Sequence, residues 1–161
     1  MNGKHTIGAV SLVLSLGLAV AGIATSGGVA TASPGAGSVT AQLIGAGSTG
    51  GAFGLSSQPG KTTVVAKVTF APNSSTGWHT HPGKTLVVIQ SGELTVYRAR
   101  DKGCAGTTYG PGDAFVEPPT STHIGRNESS TTPTVAAVVF FDVGPSGQTF
   151  IDQPDPGTCD F

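Results

Sequence analysis

Charge is scarce in this chain. Only 11% of its 161 residues are charged, and eight basic side chains nearly balance nine acidic ones. No stretch gathers into a basic patch, so nucleic acid and anionic membrane surfaces are poor partners. There are one Met, one Trp and two Cys. Neither cysteine has C-x-x-C spacing or a histidine close in sequence, so a zinc knuckle or a Cys–His nucleophile lacks its pattern. Helical periodicity is missing too. Beyond the N-terminal apolar run, no segment of helical length repeats apolar residues at i, i+3, i+4 and i+7. Histidine is rare, with four in all. One of them, His5, lies at the extreme N-terminus.

The first 32 residues read as a leader. Lys4 precedes an uncharged apolar run, Ile7 to Ala24, and Ala30-Thr31-Ala32 fits an A-x-A cleavage pattern with a cut before Ser33. Retention as an N-terminal anchor is the alternative, since the run is just long enough to span a bilayer. Cleavage predicts a secreted or extracytoplasmic protein of about 130 residues, one ordinary domain, with no membrane attachment. Cys104 and Cys159 agree with export. In an oxidising compartment they would pair as one disulfide; two free thiols are the other possibility.

What is abundant is glycine, with 25 residues, and proline, with 11. They punctuate short runs that read as strands. Thr62 to Phe70 alternates, with Val64, Ala66, Val68 and Phe70 on one face. Leu86 to Gln90, Glu93 to Arg98, Ala114 to Glu117, Thr122 to Arg126 and Thr134 to Val143 come next, after an early run at Val39 to Ile44. Ser91-Gly92 is a turn signal between two of them. The pattern predicts an all-β sandwich or barrel. Its expected parts are a flexible N-terminal segment with one short strand (33–60), the β domain (61–152) and an extended tail (153–161). A disulfide would pin that tail.

The remaining histidines carry the chemistry. His79 and His81 form an H-x-H pair, and His123 comes forty-odd residues later. On an extended strand, alternate side chains share a face about 6.5–7 Å apart. Two imidazoles so placed suit one metal ion, and a third from a neighbouring strand would complete a facial set with open positions.

These residues resemble the two motifs of the cupin family. The first runs G, five residues, H-x-H, three or four residues, E, six residues, G. His79, His81 and Gly92 fill it, with Thr85 at the glutamate position and Asn73 at the opening glycine. The second runs G, five residues, P-x-G, two residues, H, three residues, N. Gly112, Pro118, His123 and Asn127 match, and Thr120 replaces its glycine. The likeness covers about Val64 to Phe141 and is nearest to small secreted single-domain cupins of actinobacterial type. It implies an antiparallel jelly-roll barrel with a site inside it. It also implies a divalent metal (Zn, Fe, Mn, Cu or Ni) on His79, His81 and His123. Trp78, Thr85, Phe115 and Glu117 are candidate pocket residues.

The function expected is small-molecule binding or metal-dependent chemistry of dioxygenase or isomerase type, in a monomer or homodimer. A non-catalytic metal or ligand binder and a metal-free structural cupin are the rivals. No catalytic acid or base can be assigned. With only neutral imidazoles as ligands, Thr85→Glu is expected to tighten metal binding. The G-x-G-x-x-G at Gly45 to Gly50 lacks the helix that a dinucleotide site requires after it.

Overall fold

The computed structural model describes residues 29–31 and 40–161. The leader, except for its residues 29–31, and the tail at Ser33 to Ser38 lie outside the described residues. The strands are β1 (Val29–Thr31), β2 (Thr40–Gln42), β3 (Ser48–Thr49), β4 (Thr62–Phe70), β5 (His79–Thr80) and β6 (Thr85–Ser91). They continue with β7 (Leu94–Arg98), β8 (Thr107–Tyr109), β9 (Asp113–Glu117), β10 (His123–Arg126), β11 (Thr134–Val143) and β12 (Ile151–Asp152). A short 3-10 turn, Lys102–Cys104, is the only helical element among the described residues.

Two five-stranded sheets carry the fold. One has the order β3-β9-β6-β11-β4 and the other β12-β5-β10-β7-β8, while β1 and β2 form a separate pair. All pairings are antiparallel except β3 with β9. The arrangement is the jelly roll that the sequence implies, but its barrel is not closed. No strand belongs to both sheets. Two of the chain's several crossings between them lie at His81-Pro82-Gly83 and at Pro118-Pro119. Proline has no N–H to donate, so a hydrogen-bond ladder cannot run through either corner.

Alternation supplies the core. On β6 the buried residues are Thr85, Val87 and Ile89, and on β11 they are Thr134, Ala136, Val138, Phe140 and Val143. These pack with Leu94, Val96 and Phe115, while Val64, Ala66, Val68 and Phe70 of β4 close the layer. Each fully buried Val, Leu, Ile or Phe contributes roughly 1.5–3 kcal/mol. At Gly92 the backbone has φ +71°, and a Cβ there would lie 2.6 Å from the Pro133 carbonyl oxygen. Only glycine makes the turn from β6 to β7, which lie in different sheets, at that spot.

The segment ahead of β4 is tied to the body. β3 pairs with β9, Lys84 Nζ donates to the Gly54 carbonyl, and Gln58 N–H donates to Asp142 Oδ1 at 2.7 Å. At the other end Cys104 is bonded to Cys159, with Cα atoms 5.1 Å apart. Trp78 and Ile124 pack around this staple.

Candidate metal centre

His79 on β5 and His123 on β10 are direct register partners, so their side chains stand side by side on one sheet face. His81 lies two residues after His79 and returns to that face. All three are 2% exposed. Their ring centroids are 4.8 Å (His79–His81), 4.3 Å (His79–His123) and 5.1 Å (His81–His123) apart. One ring nitrogen from each lies within 4.8 Å of the others.

Backbone carbonyls orient all three rings. The Nδ1 of His79 donates to the Gly77 carbonyl at 2.9 Å, that of His81 to Thr149 at 2.7 Å, and that of His123 to Ser121 at 2.7 Å. A carbonyl can only accept, so each Nδ1 holds the proton and each Nε2 is left for the interior. Metal-bound histidines are held in this way. The donor set fits a divalent ion: three buried imidazoles in one tautomer, beside an ionised carboxylate.

That carboxylate is Glu117, at the end of β9 on the opposite sheet. Its Oε2 lies 3.0 Å from His81 Nε2. Its Oε1 stands 3.1 Å from His123 Nε2, close enough for an ion pair but out of line for a hydrogen bond. Glu117 is 7% exposed. Burial opposes its ionisation, but the imidazoles of His123 and His81 outweigh burial and hold its pKa at about 2. Burial, then the charge of neighbouring His123, lowers His79 to about 4. Burial acts the same way on His123, but the Glu117 carboxylate overrides it and raises the pKa.

Thr85 is the register partner of Glu117 across β6 and β9. It is buried, and its hydroxyl has no hydrogen-bond partner. Trp78 and Phe115 stand away from the cavity. Trp78 packs against Ile124 and Cys159, on the strand face opposite His79, and Phe115 stacks on Tyr109 at 3.9 Å in the core. Lys84 and Arg126 are engaged elsewhere, Lys84 with Gly54 and Arg126 over the Phe161 ring.

Phe140 and Phe150 were not legible as site residues. The Phe150 ring lies 4.6 Å from that of His79 and 5.2 Å from that of His81. It arrives on the segment leading to β12, which pairs with β5 through Ile151–Thr80 and Asp152–His79. No local signal marks Phe150, because a lone aromatic beside a Gly/Pro turn has no period. With Val68, Phe70 and Phe140 it walls a cavity of about 30 Å³ that His79, His81 and Glu117 also line. That volume admits a water or two, or a ligand of a few atoms.

The departures from the motif glycines leave the backbone unchanged in kind. Asn73 has φ 57° and Thr120 φ 59°, left-handed like Gly92 at 71° and Gly112 at 90°. Asparagine tolerates this region, whereas a β-branched threonine is strained there. The Thr120 N–H donates to the His81 carbonyl, so this turn steadies the ligand-bearing corner.

A family model described as a cupin domain matches residues 66–140. No curated protein matches the chain. Among solved structures, a cupin-like protein from Thermotoga maritima aligns at 25% identity and TM-score 0.46, over 52% of this chain and 61% of that one. A DMSP lyase from Ruegeria pomeroyi aligns at 19% and 0.47, over 58% of this chain and 44% of that one. An oxalate oxidase aligns at 23% and 0.46, over 56% and 45%. The alignments thus span less than two thirds of each of these three proteins. Both motifs lie on facing antiparallel sheets, within the stretch from 66 to 140 that is similar to a cupin domain.

Proposed function

We propose that this is an exported metalloprotein in which His79, His81 and His123 hold one divalent first-row ion. One observation carries the reading: all three Nδ1 protons are given to backbone carbonyls, and the rings converge in a buried, partly apolar cavity. Held so, a divalent ion would lower the pKa of a bound water or hold a small chelating ligand. The cavity volume favours a ligand of few heavy atoms, bound against Phe140 and Phe150. Reaction of dioxygenase or isomerase type and simple ligand capture both fit this site. In this reading residues 1–32 are removed on export, residues 61–152 form the cupin domain, and residues 153–161 are a stapled tail. The Cys104–Cys159 bond is consistent with an oxidising compartment, and among the described residues no helix is long and apolar enough to cross a membrane.

A metal-free structural cupin has one observation in its favour. Glu117 already meets two of the imidazoles, so protons could neutralise the cluster. Metal analysis of protein purified without a histidine tag separates the two. The metal reading expects about one ion per chain, lost in His81→Ala while the circular dichroism spectrum stays that of a folded β protein. A wild-type protein that takes up no Zn²⁺, Mn²⁺, Fe²⁺, Cu²⁺ or Ni²⁺ in titration sinks it.

A further inference from the structure

We propose that Glu117 is the anionic ligand of this centre, carried one strand across the sheet from the family's usual position at residue 85. The proposal rests on the three-histidine site proposed for the ion. Position 85 holds threonine here, and the residue opposite it on the neighbouring strand is Glu117. Directly opposed residues have Cβ atoms about 4.5–5.5 Å apart and point to the same sheet face. A glutamate on β9 therefore reaches into the space that a glutamate on β6 would enter. Threonine at 85 keeps that space open.

The distances agree. Two ligand atoms each about 2.1 Å from one ion and at right angles to each other stand about 3.0 Å apart. Glu117 Oε2 and Oε1 lie 3.0 Å from His81 Nε2 and 3.1 Å from His123 Nε2. These are the separations of neighbouring ligands. The chemistry agrees as well. His81 and His123 each spend the Nδ1 proton on a carbonyl, and each turns Nε2 toward an oxygen that can only accept. Something positive belongs between nitrogen and oxygen. A single divalent ion supplies it for both rings at once. The partnerless, buried Thr85 hydroxyl is then free to donate to Glu117 or to a water on the ion.

The expectation at position 85 changes accordingly. Thr85→Glu alone places a second buried carboxylate beside Glu117, and like charges disfavour each other there. It is expected to weaken binding, contrary to the expectation from three neutral ligands.

Three tag-free proteins test the proposal: wild type, Glu117→Gln, and the exchange variant Thr85→Glu/Glu117→Thr. Each is titrated with Zn²⁺ and Mn²⁺ by calorimetry, and each is loaded with Co²⁺ for visible absorption. Glu117→Gln should lose affinity by about 100-fold or more and shift the Co²⁺ bands. The exchange variant should recover to within about tenfold of wild type. Glu117→Gln binding as tightly as wild type overturns the ligand role and leaves the histidine site standing. Weakened affinity with unchanged Co²⁺ bands also overturns it, because Glu117 would then only position His81. A folded exchange variant that stays about 100-fold or more weaker than wild type refutes the transfer between strands, and this arm decides even where Glu117→Gln fails to fold. A wild type that binds no ion defeats both the histidine site and the glutamate ligand together.

Discussion

At the residue scale, protons compete for the same nitrogens that a metal would use. In metal-free protein the buried His79 rejects a proton that the unfolded chain accepts, because its pKa falls from 6.5 to about 4. Stability should therefore rise as pH climbs through that window. His123 acts in the opposite sense. Its raised pKa lets the folded protein keep a proton that the unfolded chain has released, so its contribution fades as pH rises above 6.5. Glu117 contributes above 4.5 and loses its contribution as pH falls toward about 2. Each proton changes stability by at most about 1.4 kcal/mol per pH unit. The unfolding temperature of chelator-treated protein should peak near pH 6.5, whereas a monotonic profile would contradict these shifts. Thr120 offers a second case. Its left-handed backbone costs a threonine about 1–2 kcal/mol, part of which a glycine returns through its freer unfolded state. Thr120→Gly should stabilise the protein by about 0.5–1 kcal/mol, read as a higher denaturant midpoint. A lower midpoint would show that the threonine side chain makes contacts worth more than the strain.

At the element scale, the C-terminal segment is part of the site. Phe150 covers the histidines, the Thr149 carbonyl orients His81, and β12 adds to the edge of β5. The Gln153 N–H donates to the Trp78 carbonyl, and the Cys104–Cys159 bond anchors the tail beyond β12. Closing a loop whose ends are 55 positions apart in sequence stabilises the fold by about 4 kcal/mol on the chain-entropy view. Cys159→Ser should cost about 2–4 kcal/mol in urea unfolding. It should also speed metal release to a chelator, because the strap over His81 loosens. Unchanged release with lowered stability would confine the staple to the outer face around Trp78. Asn127 ties another element junction: its Nδ2 reaches the carbonyls of Phe70, Ala71 and Thr132 at 3.2, 3.1 and 2.8 Å. The asparagine of the second motif thus binds the β4 and β11 ends rather than the site.

At the scale of the whole molecule, export makes a direct demand. Protein recovered outside the cell should begin at or near Ser33, seen in the intact mass, and should gain two mass units on reduction of Cys104–Cys159. An intact leader on protein recovered from the membrane fraction would instead support the retained anchor.

The strands at Thr62 to Phe70 and Thr134 to Val143 were legible to the residue, because an inward face of valine, alanine and phenylalanine repeats at period two. The two-residue strands β3, β5 and β12 are too short to show any period. Histidine spacing marked His79, His81 and His123 as a group, because residues two apart on one extended segment must share a face, whatever the fold around them. Local pattern could not decide Glu117, which reads equally well as an exposed strand-end charge. Its burial, its pairing opposite Thr85 and its contact with two histidines come from strand register, which is set by residues far away in the chain. Phe150 is the extreme case: it reaches the histidines only because the chain, after leaving β11, doubles back to pair with β5. Local alternation and turn residues therefore determined which side of each strand faces inward. Which side chains then meet across the gap between two sheets was decided by long-range packing alone.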